Sequence, residues 1–275
     1  MRLATVRTPR GTTAVRLLDG GAVDLGVRDV GALLAEPDWA DRAAAGSTPL
    51  VVDRLEFAPV VPRPGKVLCV GLNYRTHILE MGRDLPEHPT LFAKFAEALV
   101  GAADDIALAP ESDAVDWEAE LAVVIGRPVR RADEAQAAGA IAGFTVLNDV
   151  TMRDWQFRTK EWLQGKTFEA TTPIGPALVT PDELPGGVRP SLAISAAVNG
   201  ETVQEADTGD LVFDPVALVR YASTILTLRP GDVIATGTPG GVGHARKPPR
   251  YLVEGDVLVT EIEGIGRLRN TARPG

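Results

Sequence analysis

The sequence predicts an α+β fold in which β-structure dominates, and three features of the chain lead to this prediction. Short β-prone runs separated by turns recur along most of its length. One segment has the full pattern of an amphipathic helix, whereas the last third is typical of consecutive hairpins. Because strands and helices do not alternate regularly, the pattern excludes a doubly wound nucleotide-binding fold.

Composition and charge narrow the class of protein. The chain has 275 residues, enough to bury a sizeable core in one large domain, with or without a smaller one. Its net charge of −9 and the lack of a basic run argue against a nucleic-acid partner. The single cysteine, Cys69, lies in an apolar run, which excludes a disulfide framework and a Cys-rich zinc site. Neither a signal peptide nor a membrane-spanning stretch is visible, so we expect a cytoplasmic protein with no membrane partner.

Residues 1–61 are predicted to form a small N-terminal accessory domain that contains β-structure. Its predicted elements are three strands of a meander, two short helices and a return strand: Leu3–Arg7, Ala14–Leu18, Ala22–Leu25, Asp29–Ala35, Asp38–Ala45 and Leu50–Phe57. A Pro-rich connector over residues 59–65 marks the boundary. Since this part has no cluster of polar side chains suited to chemistry, we place the function in a second domain, residues 62–275.

The second domain is predicted to be β-rich with a few helices. The clearest helix covers residues 215–227, because Asp214 can cap it and Pro215 suits its first position. Two turn-then-strand patterns at 230–234 and 254–258 account for the predicted hairpins. The other predicted strands and helices are Lys66–Val70, Tyr74–Met81 (capped by Asn73), Glu134–Ala142, Phe144–Asn148 and Met152–Trp162.

Two glutamates at the start of a strand form the first candidate site. The run at 121–126 is short, apolar and rich in β-branched residues, which favours a buried strand over a helix. Because side chains on a strand alternate with a period of two, Asp116, Glu118 and Glu120 should project from one face. Neighbouring carboxylates repel each other, and a hard divalent cation would compensate their charge. The alternative is a solvated strand end that carries surface acids.

Asp149 is a candidate third carboxylate for this site. It falls where the predicted strand Phe144–Asn148 passes into a helix, a place where side chains are held rigidly yet remain accessible. An Asp/Glu/Glu set that leaves positions for water or substrate suits a hard metal ion. The alternative role of Asp149 is to cap the helix that follows it.

His77 and Glu80 form a second candidate group, and Lys166 is a third. Residues three apart on a helix share a face, so Glu80 can orient His77 and raise its basicity, as in a general base that activates water. The alternative is an exposed pair on a surface helix. Lys166 lies in a predicted loop after a glycine, where it could either stabilise an anionic intermediate or be solvated.

The glycine-rich segment at 236–243 completes the set of candidate features. It lacks a Gly-Lys-Ser/Thr ending and a clear helix after it, so it is neither a P-loop nor a dinucleotide-binding fingerprint. Because it follows a predicted strand, we expect it to bring backbone amides and the Thr238 hydroxyl to a ligand. No Gly-x-Ser-x-Gly elbow occurs in the chain, which excludes the commonest serine hydrolases.

Taken together, these segments resemble the fumarylacetoacetate hydrolase family over residues 62–272. Any one motif is weak, but six occur in order. They are Gly-Leu-Asn-Tyr-x-x-His-x-x-Glu (71–80), Leu-Phe-x-Lys (91–94), Asp-Trp-Glu-x-Glu-Leu-Ala-Val-Val-Ile-Gly (116–126), Asn-Asp-Val-Thr-x-Arg-Asp (148–154), Gly-Lys-x-Phe (165–168) with Pro-Ile-Gly-Pro (173–176), and Pro-Gly-Asp-Val-Ile-x-Thr-Gly-Thr-Pro-x-Gly-Val-Gly (230–243).

The resemblance implies a mixed β-roll catalytic domain that is usually part of a homodimer. It also implies that Glu118, Glu120 and Asp149 hold Mg²⁺, or alternatively Mn²⁺ or Ca²⁺. Asp116 shares their predicted face and is expected to support the site rather than to bind the ion.

The same resemblance implies roles for further residues. His77 and Glu80 match the dyad that prepares a water in the hydrolases, and Lys166 matches the lysine that stabilises an oxyanion or carbanion. The residues that it implies in substrate binding are Asn73, Tyr74, Lys94, Gln156, Gly237 and Thr238.

The reaction predicted from the resemblance is metal-dependent hydrolysis of a C–C bond in an acylpyruvate-type (fumarylpyruvate-like) 2,4-dioxo acid through a metal-stabilised enolate. His77 and Glu80 favour hydrolysis, because a decarboxylase needs no attacking water. The alternatives are a decarboxylase of the oxaloacetate type or an isomerase of 2-hydroxy-dienedioates, which would pass through the same enolate. A catalytically silent binding protein is a further alternative, and the complete set of site residues argues against it.

Overall fold

The structure is a computed structural model that describes residues 1–51 and 54–275. Among these residues the strands are β1 (Arg2–Thr8), β2 (Gly11–Leu18), β3 (Gly21–Asp24), β4 (Thr48–Pro49), β5 (Val67–Gly71), β6 (Thr90–Lys94), β7 (Leu99–Val100), β8 (Ile106–Leu108), β9 (Val115–Asp116), β10 (Ala119–Ile125), β11 (Ile141–Asn148), β12 (Thr151–Met152), β13 (Thr172–Val179), β14 (Ala193–Val198), β15 (Glu201–Asp207), β16 (Val233–Ala235), β17 (Val257–Ile262) and β18 (Gly266–Pro274). The helices are α1 (Val30–Leu34), α2 (Trp39–Ala45), α3 (Arg75–Glu80), α4 (Glu134–Ala140), α5 (Arg153–Gln156), α6 (Leu163–Lys166) and α7 (Pro215–Ile225). Strands therefore dominate, and the predicted β-rich α+β class is confirmed.

Two mixed sheets organise the described residues. The larger has the strand order β4-β3-β2-β1-β13-β11-β10-β16-β5-β6, with β7 paired to β13, and the smaller has the order β15-β14-β17-β18-β8. Most pairs are antiparallel, but β16 pairs with β5, β13 with β7 and β18 with β8 in parallel. Strands β9 and β12 form a separate two-stranded pair that places Asp116 opposite Thr151.

Strand β10 lies inside the larger sheet, between β11 and β16, and every one of its residues is buried. Its side chains alternate between two apolar clusters: Leu121 and Val123 pack in the cluster that contains Ile194 of the smaller sheet, while Ala122 packs in the cluster that contains Leu33 of α1. Burial of each large apolar side chain contributes about 1.5–3 kcal/mol. A strand that is covered on both faces has a continuous apolar sequence, as β10 does from Leu121 onward. Such a strand holds the polar side chains at its start in fixed positions.

The N-terminal segment joins the larger sheet. Strand β1 pairs with β13, with Leu3 opposite Leu178, so β1, β2 and β3 extend the sheet that contains β10. The predicted meander and the two short helices are present as β1–β3, α1 and α2. The predicted return strand Leu50–Phe57 includes residues 52 and 53, which lie outside the described residues. Its last residue, Phe57, forms an isolated bridge with Val6. A domain boundary at residue 61 stays a prediction.

Helix α7 shows the clearest agreement with the sequence. Asp214 accepts a hydrogen bond from the backbone N–H of Ala217 (2.8 Å), and Pro215 occupies the first turn. The helix ends at Ile225, two residues before the predicted end at 227. None of the described helices is both long and apolar enough to cross a bilayer.

The predicted helix Met152–Trp162 is wrong. Thr151 and Met152 pair with β9 as strand β12, and only Arg153–Gln156 form a helical turn before the chain leaves it. The backbone of Gly165 lies so close to the Gln156 N–H that an added Cβ would be 2.4 Å from that nitrogen. Close packing between distant segments therefore overrides the local helix signal.

The predicted cap of helix α3 is also wrong. The helix begins at Arg75 with Tyr74 as its N-cap residue, whose own side chain makes no capping hydrogen bond; the Thr76 N–H in the first turn donates to Oδ2 of Asp210 instead (2.9 Å). The Asn73 side chain instead donates to the backbone carbonyls of Phe213 and Thr236 and accepts from the Phe213 N–H. Asn73 thus ties three loops together, and no group of its side chain remains to cap a helix.

Candidate metal and substrate site

Three buried carboxylates meet where strand β10 begins and strand β11 ends. Glu118 directly precedes β10, Glu120 is its second residue, and Asp149 directly follows β11. The antiparallel register places Ala119 opposite Asn148, which brings the two strand ends together. As a result, one carboxylate oxygen of each acid lies within 4.8 Å of those of the other two.

Backbone contacts hold this junction in place. The Asp149 N–H donates to the Glu118 carbonyl (2.8 Å), and the Glu118 N–H donates to Oδ1 of Asn148 (2.9 Å). The Asn148 amide in turn donates to Oγ1 of Thr260 in the smaller sheet (2.9 Å). The positions of Glu118 and Asp149 are therefore set by the strand register rather than by flexible loops.

Two of the three acids have cationic partners. Lys166 Nζ donates to Oε2 of Glu118 and to Oδ2 of Asp149, both at 2.7 Å. Lys94 Nζ donates to Oδ1 of Asp149 (2.6 Å), and Arg153 Nη2 lies 2.7 Å from Oε1 of Glu118. Burial opposes ionisation of Asp149, but Lys166 and Lys94 outweigh it and lower the pKa of this carboxyl.

Glu120 has no cationic partner among the described residues. Its Oε2 accepts a hydrogen bond from the Gly237 N–H (2.7 Å). Burial, together with the nearby Asp149 and Glu118, raises the pKa of Glu120 well above its ordinary value. A buried carboxylate that is repelled by two others is stabilised by a divalent cation, and an all-carboxylate donor set suits Mg²⁺, Mn²⁺ or Ca²⁺. The residues present thus fit a hard metal ion, whose identity the donor set leaves open.

Asp116 is not one of the three clustered carboxylates, and its expected supporting role stays a prediction. Its carboxylate accepts from Arg153 Nε (2.8 Å) and from the backbone N–H groups of Gly243 (2.7 Å) and His244 (2.9 Å). Asp116 therefore anchors the end of the glycine-rich segment and orients Arg153. Sequence reasoning gave Arg153 no role at the site, although its position in the Asn-Asp-Val-Thr-x-Arg-Asp motif was a usable signal.

The acids open into a cavity of about 340 Å³, a volume suited to a small molecule. Apolar side chains form much of its wall, among them Phe92 and Trp162, whose rings meet edge to face at 5.4 Å. The candidate residues that line it are His77, Glu118, Glu120, Gln156, Lys166 and Thr238. The candidate residues outside its lining are Asn73, Tyr74, Glu80, Lys94, Asp149 and Gly237.

The candidate water-activating pair is only partly assembled. His77 and Glu80 both lie on α3, but Glu80 is exposed and no hydrogen bond joins the two in the described structure. Both line a second cavity of about 230 Å³, so His77 borders both cavities. Burial lowers the pKa of His77 below its ordinary value, although Glu80 and Glu118 act in the opposite direction. The imidazole is therefore neutral near pH 7.

Four of the expected substrate-binding residues lie outside the lining of the larger cavity. Asn73 is fully engaged with backbone groups, as described above, and Lys94 donates to Asp149 and to the Val150 carbonyl (3.0 Å). The Tyr74 hydroxyl is buried and has no hydrogen-bond partner within residues 1–51 and 54–275. Gly237 has a φ of +102°, which a side chain would strain, and its N–H serves Glu120. None of the four lines the larger cavity, although Tyr74 lines the second one, and their role in substrate binding stays a prediction.

Two mammalian proteins are similar to this chain over most of its length. One, from Rattus norvegicus, is named oxaloacetate tautomerase Fahd2a, mitochondrial, and is 46% identical over 233 residues, which is 84% of this chain and 74% of that protein. Another, from Homo sapiens, is named oxaloacetate tautomerase FAHD2A, mitochondrial, and is 46% identical over 234 residues with the same shares. These names place those two proteins in mitochondria, and the cytoplasmic location of this chain stays a prediction.

Solved structures share the fold along the whole chain. A fumarylacetoacetate hydrolase from Exiguobacterium antarcticum superimposes with a TM-score of 0.89 at 31% identity, covering 100% of both chains. A 5-carboxymethyl-2-hydroxymuconate delta-isomerase from Mycobacterium smegmatis superimposes with a TM-score of 0.81 at 33% identity, covering 100% of this chain and 99% of that one.

The family itself follows from a match to residues 66–273. That match is to the model described as fumarylacetoacetate (FAA) hydrolase C-terminal, and it contains all the carboxylates, cations and donors of the site. It confirms the resemblance inferred from the six ordered motifs. The chain therefore belongs to the fumarylacetoacetate hydrolase family of enzymes.

Proposed function

We propose that this chain is a divalent-metal-dependent enzyme that transfers a proton at the carbon next to the 2-oxo group of a small dicarboxylic oxo acid, of which oxaloacetate is the simplest case. The observation that carries the proposal is the meeting of Glu118, Glu120 and Asp149 with the Lys166 ammonium beside one small cavity. The names of the relatives, oxaloacetate tautomerase and delta-isomerase, support isomerisation over the hydrolysis that the sequence favoured.

The charged groups at the cavity suit an anionic intermediate. Mg²⁺ held by the three carboxylates would withdraw electrons from the 2-oxo acid and acidify its neighbouring C–H group. Lys166 uses two of its three N–H donors on Glu118 and Asp149, so the third remains for a substrate oxygen. Burial alone would lower the pKa of Lys166, but Asp149 and Glu118 raise it above its ordinary value, so the ammonium stays charged as the enolate forms.

Gln156 and Thr238 are further donors at the cavity, which Arg83, Arg153 and His244 also line. Oε1 of Gln156 accepts from Arg153 Nη1 (2.9 Å), which leaves its Nε2 group facing the cavity without a partner among the described residues. Two N–H groups and one hydroxyl can therefore bind a substrate carboxylate while Lys166 contacts the oxygen that gains charge.

We assign the proton transfer to His77. It is half-buried, lines the cavity, and is neutral near pH 7 because burial lowers its pKa. A neutral imidazole can accept the proton from the enol oxygen or the substrate carbon and return it to the other position. Both steps require the same residue to alternate between base and acid.

The pH dependence of catalysis tests the role of His77. Only the neutral imidazole accepts a proton, and a lowered pKa means that protonation occurs at more acidic pH than the ordinary value of about 6.5. We therefore expect kcat/KM to persist below this pH and to fall at lower pH with a midpoint under 6.5. The measurement is a pH–rate profile of the unsubstituted enzyme and of His77→Gln. An acid limb that is unchanged in His77→Gln would assign the titration to another group.

The proposed activity is tested by following the enol form of oxaloacetate by ultraviolet absorbance in Mg²⁺ buffer, with pyruvate measured in parallel. We expect the enzyme to accelerate loss of the enol without forming pyruvate, and we expect EDTA to stop this acceleration. Pyruvate formed at the same rate would identify a decarboxylase instead. If neither reaction is faster than in Mg²⁺ buffer alone, the proposal for oxaloacetate is wrong.

Hydrolysis of an acylpyruvate is the second candidate, and the contact of His77 with both cavities favours it. The smaller cavity, which Glu80 also lines, could hold the water that His77 would deprotonate. If so, His77→Ala should reduce acylpyruvate hydrolysis by about a hundredfold or more and leave any oxaloacetate decarboxylation within about tenfold. A panel of acylpyruvates, oxaloacetate and hydroxy-dienedioates, each with and without Mg²⁺, makes the comparison. Equal losses in both reactions would mean that His77 does not act on water.

A further inference from the structure

The side chain of Gln204 connects the two sheets directly behind the candidate site. Gln204 lies on β15 of the smaller sheet, whereas Glu120 and the segment that follows β16 belong to the larger one. It is 2% exposed. No motif in the sequence drew attention to it, because its partners lie far away along the chain.

Each polar atom of the Gln204 amide has a partner at the site. Oε1 accepts from the Ala119 N–H (2.9 Å), which lies between Glu118 and Glu120 in the sequence. Nε2 donates to Oγ1 of Thr238 (2.9 Å) and to the Pro239 carbonyl (3.0 Å). One buried side chain therefore joins the backbone of the carboxylate strand to the glycine-rich segment.

These partners leave only one orientation for the amide. The backbone N–H of Ala119 can only donate and the Pro239 carbonyl can only accept, so Oε1 and Nε2 of Gln204 cannot be exchanged. It follows that Oγ1 of Thr238 is the acceptor in its contact with Gln204. A threonine hydroxyl has one hydrogen to donate, and among the described residues Thr238 makes no other hydrogen bond, so this hydrogen is available to the cavity that Thr238 lines.

We propose that Gln204 is a positioning residue, which directs the Thr238 hydroxyl hydrogen toward an anionic oxygen of the bound oxo acid. By accepting from Ala119, the same amide sets the distance between that donor and the two glutamates. The inference rests on the proposed function only in taking a small oxo-acid anion as the ligand. The reaction that follows binding does not enter it.

The test uses oxalate, a planar dianion that resembles an enolate of a 2-oxo acid, and isothermal titration calorimetry on the Mg²⁺-loaded enzyme. Thr238→Val removes the donor, and a hydrogen bond to a charged group corresponds to an affinity loss of about tenfold or more. Gln204→Glu retains an acceptor for the Ala119 N–H but presents an oxygen to Thr238, so the hydroxyl would donate to that carboxylate instead of to the ligand. We expect a similar loss of oxalate affinity in Gln204→Glu.

The double variant gives the decisive comparison. If Gln204 acts through Thr238, Gln204→Glu should weaken oxalate binding at least about fivefold less in the Thr238→Val background than in the unsubstituted enzyme. The charge introduced at position 204 affects both backgrounds and cancels in this cycle. Equal losses in the two backgrounds would overturn the proposal, and so would an unsubstituted enzyme that does not bind oxalate.

Thr236→Val is the matched control. The Thr236 hydroxyl belongs to the same segment but donates to the buried Leu121 carbonyl (2.9 Å), so its loss should change oxalate affinity by no more than about twofold. Gln204→Met, which removes all three hydrogen bonds of the amide without adding charge, is the second variant if Gln204→Glu does not fold, as judged by thermal unfolding. Oxalate binding that behaves as expected, in an enzyme that leaves oxaloacetate unchanged, would reject the proposed function and retain the role of Gln204.

Discussion

A Glu118→Gln substitution is expected to lower Mg²⁺-dependent turnover about a thousandfold, which corresponds to a loss of about 4 kcal/mol in transition-state stabilisation. The substitution removes one negative charge from a set of three buried carboxylates. The amide keeps the shape of the side chain and can still accept from Lys166 Nζ, but its NH2 group then replaces the oxygen that lies 2.7 Å from Arg153 Nη2, so the fold is checked by unfolding curves. The measurements are kcat at saturating substrate and Mg²⁺ affinity by calorimetry.

Glu111→Gln is the control for this prediction, because Glu111 is exposed and lies outside the candidate site. It removes the same charge from the protein and should leave kcat within about twofold. Unfolding curves of both variants establish that the fold persists. Full activity of the unsubstituted enzyme in EDTA, or of Glu118→Gln in Mg²⁺, would reject a metal held by these carboxylates.

A Lys94→Met substitution is expected to lower the free energy of unfolding by about 3 kcal/mol. Lys94 and Asp149 are both fully buried and form an ion pair at 2.6 Å, and Lys94 also donates to the Val150 carbonyl. Its loss leaves a buried carboxylate with Lys166 as its only remaining cation among the described residues. Methionine fills a similar volume, so the effect reports the charge rather than a cavity. Urea unfolding in EDTA measures it in the metal-free protein.

Lys160→Met is the matched control, since Lys160 is exposed and has no ion pair in the described structure. Its free energy of unfolding should change by less than about 0.5 kcal/mol. A change below about 1 kcal/mol in Lys94→Met would show that Lys166 alone neutralises Asp149. Added Mg²⁺ should recover part of the lost stability in Lys94→Met, because a ligand that binds only the folded state stabilises it.

The helices show which structural signals are readable along the chain. Helix α7 was predictable because Asp214 and Pro215 act on the turn that they begin. Helix α4 was likewise predictable, and Asp133 caps it together with Gln136. The wrongly predicted helix Met152–Trp162 carries comparable local signals. Pairing with β9 and close packing against Gly165 stabilise this segment more than a continuous helix would.

At the candidate site too, some features could be predicted from the sequence and others could not. The pairing of Glu118 with Glu120 could be predicted because side chains two residues apart on a strand lie on the same face. Asp149 could be predicted because it follows the end of the next long strand. In the structure, polar groups of Asn73 and Lys94 are used by backbone and carboxylate partners, and a role of the two residues in substrate binding stays a prediction. Such use depends on which distant atoms come within 3 Å, and no periodicity in the sequence encodes it.

By itself the sequence determined the β-rich fold class, the family and the meeting of three carboxylates, because each depends on patterns within a strand or on the order of short motifs. Only the tertiary structure decided which groups face the cavity, which cation neutralises which acid, and that Gln204 leaves the Thr238 hydroxyl free to donate. The physical reason is that charges and hydrogen bonds act over a few ångströms in space. The residues that they join here, such as Ala119 and Gln204, are 85 positions apart in the chain.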